Sequence, residues 1–483
     1  MRSLIVHTPA RRVGARCAPR GGMWPTGALL AFVLVCLAAP FAARATPPPN
    51  IVIILADDMG YGDLACYGHP SIRTPNLDRM AAEGMRFTDF YVAAAVCTPS
   101  RAALLTGRLP IRSGMAGSTT NSVLMPDSAG GLPTNEITIA AALKAKGYAT
   151  ACVGKWHLGH QPEFLPTHHG FDSFFGVRFA NNMEPAPEAH RPKQALGNLN
   201  PKREWWHMAL LRGTEIIEPD TDPTALTARY TDEAVRFIKQ NKRHPFFLYL
   251  AHTYPHAPLF ASEKFRQQSP RGLYGDTVEE LDWSVGRVLD TLRQEGLGKN
   301  TLVFFTSDNG PGLNLKQAGG SAGLLRGGKG STWEGGLREP AIAWWPGKIQ
   351  SGVVNHELVS AMDLFNTSLA LAGLPVPSDR AIDGVDLTPV LRGTGRSQRE
   401  LVFYYHRDQL CAVRKGPFKL HLTQPIGEAP ETPLTHPPPF LFQIENDPAE
   451  RFDVAGEHPE VLADLLRAVD KHKHNLIPGK SQF

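Results

Sequence analysis

The run Asn50-Ile-Val-Ile-Ile-Leu55 is apolar and largely β-branched at consecutive positions, then stops at Ala56-Asp57-Asp58. A strand with one wet face alternates; a strand buried on both faces of a parallel sheet reads as this one does. The carboxylates that follow emerge at the strand's C-terminal end, where open α/β sheets hold their ligands. Thr301-Leu-Val-Phe-Phe-Thr306, ending in Ser307-Asp308-Asn309-Gly310, repeats the design. Two such strands bring four hard oxygen donors, Asp57, Asp58, Asp308 and Asn309, toward one cation. Calcium or magnesium suits these donors, whereas zinc would want His or Cys. Seen alone, an Asp-Asp pair after a strand is a capped turn; a second acidic pair in an equivalent place argues against that reading.

Between these strands the pattern alternates. Thr138–Gly147 reads as a helix leading to the strand Tyr148–Val153, and Ala225–Lys239 as a helix leading to Pro245–Ala251. The helix Asp276–Glu295 feeds the strand at Thr301. This order predicts an α/β fold, a large mixed β-sheet sandwiched by helices. Residues 183–204 and the glycine-rich stretch 310–336 read as loops over the site. Beyond about residue 395, Leu401–Tyr405, Leu410–Arg414 and Phe418–Leu422 are short strand-like segments followed by a helix near Pro459–Lys471, which predicts a small C-terminal antiparallel subdomain.

At 483 residues the chain exceeds one ordinary core. Residues 1–45 read as an export signal: a basic stretch, an apolar run from Ala28 to Ala39 too short for a comfortable membrane span, and Ala43-Arg44-Ala45 as a small-x-small cleavage site. The expected organisation is a leader over 1–45, a catalytic α/β domain over 46–395 and the small subdomain over 396–483. Export implies the periplasm or secretion in a bacterium, and the lysosome or extracellular space in a eukaryote. Cys66, Cys97, Cys152 and Cys411 lie outside the leader and offer no zinc spacing. With 50 basic and 46 acidic residues, nothing points to nucleic acid. Asn366-Thr367-Ser368, a glycosylation sequon, falls in a predicted helix.

One cysteine reads as neither staple nor thiol nucleophile. Cys97-Thr98-Pro99-Ser100-Arg101 runs straight into Ala102-Ala-Leu-Leu-Thr106-Gly107-Arg108. No internal glycine interrupts the apolar run, so a helix is expected with Cys97 near its N-terminus, where free N–H groups and the dipole favour an anion. By itself the pentapeptide also reads as an ordinary turn with proline in the first helical turn.

The segment resembles the sulfatase signature, C-x-P-S-R with a trailing L-T-G-R. The resemblance implies that a formylglycine-generating enzyme oxidises Cys97 to Cα-formylglycine, whose hydrate acts as nucleophile. The chemistry is coherent: one hydroxyl of a geminal diol attacks sulfur, and the other, once deprotonated, expels sulfate. A serine ester would have no second hydroxyl. With Cys97 converted, three cysteines outside the leader would remain, enough for at most one bridge and not for a disulfide framework. The resemblance further implies that Asp57, Asp58, Asp308 and Asn309 bind calcium, or magnesium, with an oxygen of modified Cys97, and that Arg101 orients the hydroxyls. Gly154-Lys155-Trp156-His157-Leu158-Gly159 resembles the family's G-K-W-H-L-G element, with Lys155 holding a sulfate oxygen and His157 the base that drives elimination. His256, in Tyr254-Pro-His-Ala-Pro258, and Lys329, in Gly328-Lys-Gly-Ser-Thr-Trp-Glu-Gly-Gly336, would bind sulfate and protonate the leaving oxygen.

Within the family, Arg108–Gly114, Ala341–Gly347 and Ser368–Gly384 look like the N-acetylgalactosamine-6-sulfatase branch, while Val123–Pro126 and Gly130–Pro133 look like arylsulfatase A. Leu124 stands where the galactosamine branch has a tyrosine. Phe179-Ala180-Asn181-Asn182 departs from relatives with Tyr-Ser and a following acid, so the rim differs while the core chemistry is kept. The resemblance implies a sulfated carbohydrate substrate, such as a 6-sulfated galactosamine or galactose unit, with aryl sulfates also accepted, and it allows a homodimer. Two rival readings stand: a phosphate or phosphonate ester hydrolase of the same superfamily, and an inactive sulfoglycan-binding protein. Arg338-Glu339 reads as an ion pair supporting the site, Glu334 as a supporting residue, and Trp344-Trp345 as core.

Overall fold

In the computed structural model, which describes residues 48–185, 195–424, 426 and 437–483, both acidic-ended runs are central strands of one ten-stranded sheet. The predicted leader and residues 186–194 of the predicted 183–204 loop lie outside the described residues. From edge to edge the sheet runs Val353–Asn355, Met85–Phe87, Ala341–Trp344, Thr301–Ser307, Asn50–Ala56, Phe246–Ala251, Ala149–Lys155, Ser173–Val177, Leu210–Arg212 and Glu215–Glu218. The five strands from Thr301–Ser307 to Ser173–Val177 are mutually parallel, and antiparallel pairs flank them on both sides. Their C-terminal ends therefore share one edge of the sheet.

Period-two alternation divides each central strand between two cores. Ile51, Ile53 and Leu55 join Phe247 and Tyr249 on one face; Val52 and Ile54 join Phe246, Leu248 and Leu250 on the other. Helices Cys97–Thr106, Ile139–Ala145 and Asp363–Leu371 cover the first face, and Pro75–Glu83, Leu226–Gln240 and Leu273–Gln294 the second. This is the mixed sheet between helices that the alternating pattern predicts. Thr138 caps its helix with its own hydroxyl, which accepts the Ala141 N–H at 3.0 Å.

A second sheet of four antiparallel strands, Leu401–His406, Gln409–Lys415, Phe418–His421 and Phe440–Gln443, packs with the helix Pro459–Asn475. The last of these strands is absent from the sequence reading, because Phe440–Gln443 is too short for its alternation to register. Trp344 and Trp345 are core, as expected. Asn366 is buried, its amide donating to the Gly384 carbonyl at 2.8 Å, so its sequon is an internal hydrogen-bonding element. Among the described residues all cysteines are free, and no helix is long and apolar enough to cross a membrane.

Candidate active site

Five parallel strand ends each deliver polar side chains to one buried cluster. Asp57 and Asp58 follow Asn50–Ala56; Asp308 and Asn309 follow Thr301–Ser307; Lys155 closes Ala149–Lys155, with His157 just beyond. His256 comes from the turn after Phe246–Ala251, and Asn181 from the turn after Ser173–Val177. Asn181 belongs to the rim segment Phe179–Asn182, and nothing in the sequence marks it as a partner of His256. Lys155 depends on the glycine before it: at Gly154 φ is 106°, and a Cβ would lie 1.8 Å from the Ala251 carbonyl oxygen on the neighbouring strand. Only glycine lets the two strands keep register there.

Cys97 is the first residue of a ten-residue helix buried along its whole length. The helix stops at Gly107, in the left-handed region, whose N–H returns to the Ala103 carbonyl. Cys97 therefore lies where unpaired N–H groups and the dipole present positive charge. Its Sγ is 3.4 Å from Asp57 Oδ1 and 3.8 Å from Lys329 Nζ. Burial, then the charges of Asp308 and Asp57, push the thiol well above its ordinary range, so it is held neutral.

The charged groups interlock. Arg101 meets Asp308 Oδ2 through Nε at 2.9 Å and through Nη2 at 2.8 Å, and its Nη1 donates to the Lys155 carbonyl at 2.9 Å. Lys155 Nζ lies 2.5 Å from Asp57 Oδ2, and Lys329 Nζ 2.8 Å from Asp58 Oδ2. Burial alone would raise the Asp57 carboxyl, but Lys155, His256, Arg101 and Lys329 together hold it far below the carboxylate range. Asp308 moves the other way, to about 6, through burial and the neighbouring Asp57 charge. The ligand atoms of Asp57, Asp58, Cys97 and His256 all lie within 4.8 Å of one another.

The donor set fits a hard cation. Asn309 donates through Nδ2 to Asp58 Oδ1 at 2.8 Å, which leaves its Oδ1 buried without a partner beside the carboxylates. A buried amide oxygen without a donor is costly, and a cation satisfies it. Asp58 is held in the left-handed region at φ 63°, where its N–H meets Asp308 Oδ1 at 3.2 Å and joins the two acidic strand ends.

The two histidines have assigned tautomers because their partners are one-sided. His157 Nε2 faces the Leu124 carbonyl at 3.0 Å and must donate to it, so Nδ1 carries the lone pair, and Nδ1 is buried with no partner. Burial, Lys155 and Arg101 hold this ring neutral. The Asn181 Nδ2 donates to the His256 and Pro258 carbonyls, so its Oδ1 accepts from His256 Nδ1 at 3.0 Å. Nε2 of His256 then faces Asp58 at 3.6 Å. Burial and the Lys329 charge lower this ring to about 4.

The expected Arg338–Glu339 ion pair does not form. Arg338 pairs with Asp89 at 3.1 Å and Glu334 at 3.5 Å rather than with Glu339, whose carboxyl is buried with no hydrogen-bond partner. Adjacent residues in extended backbone point to opposite sides, so Arg338 and Glu339 face different surroundings.

Residues 49–374 match the Sulfatase family, and residues 397–483 match the C-terminal region of aryl-sulfatase. The chain is 44% identical over 481 residues to N-acetylgalactosamine-6-sulfatase of Sus scrofa, covering 93% of this chain and 91% of that one. It is also 44% identical to human arylsulfatase A over 458 residues, covering 90% and 89%. Among solved structures, Ps i-CgsB in complex with k-i-k-neocarrahexaose superimposes with a TM-score of 0.75 at 32% identity, covering 90% of this chain and 94% of that one. The interlocked acidic strand ends and the helix-borne cysteine thus sit in a chain that belongs to the sulfatase family, and the protein is a sulfate-ester hydrolase.

Proposed function

We propose that the chain hydrolyses sulfate esters of sugars, 6-sulfated galactosamine or galactose units among them, and of aryl alcohols, using a formylglycine made from Cys97 by a maturation enzyme, with one bound calcium. The observation that carries this reading is the meeting of Cys97, at the mouth of its helix, with Asp57 and Lys329. Asp57, Asp58, Asp308 and Asn309 would hold the cation, whose charge favours an ionised oxygen at position 97. The hydrated aldehyde would supply one hydroxyl to attack sulfur and a second to expel sulfate.

The protein's own groups divide the remaining work. Lys155 and Lys329 hold sulfate oxygens and offset charge as the S–O bond breaks; one such donor is worth about 3–4 kcal/mol. His157, neutral with a free Nδ1, is set to take a proton from the group at position 97. His256, fixed by Asn181, points Nε2 into the site; a bound sulfate dianion or monoanion raises its proton affinity, so that it and Lys329 can protonate the leaving oxygen. Arg101, locked on Asp308, orients the hydroxyls. Names of relatives support the substrate class: one is an N-acetylgalactosamine-6-sulfatase, and a structural neighbour is in complex with k-i-k-neocarrahexaose.

The mass of the proteolytic peptide containing residue 97 tests the nucleophile: it should lack sulfur and react with aldehyde reagents. A peptide found only as the thiol, in protein that still turns over sulfate esters, would sink this assignment. Metal analysis tests the cation. Calcium should be present in stoichiometric amount, and Asp308→Asn, which keeps the side chain's size, should lower it. Stoichiometric zinc, or unchanged calcium in the variant, would overturn the ligand set.

A further inference from the structure

The side chains of Asp57, Arg101 and Lys155 are fully enclosed, whereas that of Lys329 is 26% exposed. The site therefore opens to solvent on the Lys329 side, and its border there comes from the C-terminal sheet. Strands Leu401–His406 and Gln409–Lys415 are joined by the turn Arg407-Asp408. His406 lies beside Gly330, the residue after Lys329, and open space surrounds the point where Gly330 would carry a Cβ. His406 and Arg407 share one recess with Val96, Pro99, Ser122 and Gly330. The hairpin tip thus lies between the residue before Cys97 and the residue after Lys329.

Arg407 occupies that position against local preference. Its φ of 56° is left-handed, where a hairpin turn favours Gly, Asn or Asp. Two hydrogen bonds over-determine it: Nε donates to Ser122 Oγ at 3.1 Å and Nη1 to the Thr119 carbonyl at 2.5 Å. Both acceptors are neutral, and among the described residues no carboxylate pairs with the guanidinium. Such strain at a rim, held by surrounding contacts, is a pointer to function. A guanidinium that keeps its charge uncompensated beside an open anion site attracts polyanions and can grip a planar or tetrahedral oxyanion through paired N–H groups.

We propose that Arg407 is a specificity-determining residue that binds a second anionic group of the substrate, a carboxylate or a further sulfate, on the sugar bearing the scissile ester or on its neighbour. This rests on the sulfate-ester reading of the site. The test compares kcat/KM of wild type, Arg407→Gln and Arg407→Lys on an aryl sulfate, a disulfated disaccharide and a monosulfated disaccharide containing a uronate. Arg407→Gln should lower the ratio of disaccharide to aryl kcat/KM about tenfold, the scale of one charge-assisted contact, chiefly through KM, with Arg407→Lys recovering part of it. The disulfated and uronate substrates show which anion is held. Arg407 also braces residues 119–122, near the Leu124 carbonyl that faces His157. Loss of a mere brace would slow every substrate alike, so a ratio within about twofold of wild type on both disaccharides overturns the proposal. A wild-type protein that cleaves no sulfate ester would instead overturn the functional reading, and this proposal with it.

Discussion

Cys97→Ala is expected to abolish sulfate-ester turnover, lowering kcat by about 10⁵- to 10⁶-fold, the scale of losing a nucleophile that acts as a unit with its partners, while the chain still folds. The side chain is small, buried and neutral, and it makes only sulfur contacts with Asp57 and Lys329. Alanine favours helix at that position, and loss of one buried sulfur should cost on the order of 1 kcal/mol. The cations of the site stay in place, so the variant should still bind inorganic sulfate. Measured together, kcat, thermal midpoint and sulfate affinity separate chemistry from folding. Retained turnover would remove Cys97 from the mechanism.

The same variant divides the rival readings. An unconverted, buried and neutral thiol is a poor nucleophile, so a chain that kept it would bind sulfated glycan without cleaving it. In that case wild type and Cys97→Ala would bind glycan equally and neither would turn it over. A phosphate-ester hydrolase would show the reverse selectivity, with phosphate esters cleaved faster than sulfate esters by the wild type.

How much of this site was legible depended on whether a residue's role was encoded locally. Asp57, Asp58, Asp308 and Asn309 were readable because a doubly buried strand must be apolar throughout, so the first polar residues after it mark the sheet edge. Cys97, Lys155 and Lys329 were legible only through the resemblance of their segments to the family's motifs; the structure supplies a physical reason at one motif position, Gly154, where a Cβ would strike a neighbouring strand. Asn181 gave no signal: it orients His256 across 75 positions of sequence, and nothing near it distinguishes it from Asn182. Leu124 stands out only as a rim difference; its carbonyl contact to His157 left no trace in the sequence, since any residue supplies a backbone carbonyl. Arg338 and Glu339 were paired in sequence because they are adjacent and opposite in charge, yet strand geometry turns them apart. The partners of Arg338 come from residue 89 and from the start of its own short helix.

The buried ion cluster joining the two sheets was likewise hidden in sequence, and Lys419→Met is expected to destabilise the protein by about 3–5 kcal/mol. Lys419 Nζ lies 3.1 Å from Glu334, 2.8 Å from Glu450 and 2.9 Å from the Thr332 carbonyl, with all three charged side chains fully enclosed. Glu334 also accepts from Tyr91 at 2.5 Å and Tyr404 at 2.6 Å, while Glu450 accepts the Glu334 N–H at 2.7 Å. Burial would raise Glu334, but Lys419, Arg414 and Arg338 hold it far below the carboxylate range. Methionine fills the lysine's volume and removes its charge. Glu450 then keeps only the Glu334 N–H and His421, whose ring burial and the Lys419 charge push toward the neutral form in the intact protein. The cost arises from a buried anion stripped of its cation rather than from lost packing. Replacing the anion as well should therefore recover part of the loss, and Lys419→Met/Glu450→Gln should be more stable than the sum of the two single changes predicts. Urea denaturation of the three variants measures this coupling. Strict additivity, or a Lys419→Met midpoint equal to wild type, would show that the cluster does not bind the C-terminal sheet to the loop that carries Lys329.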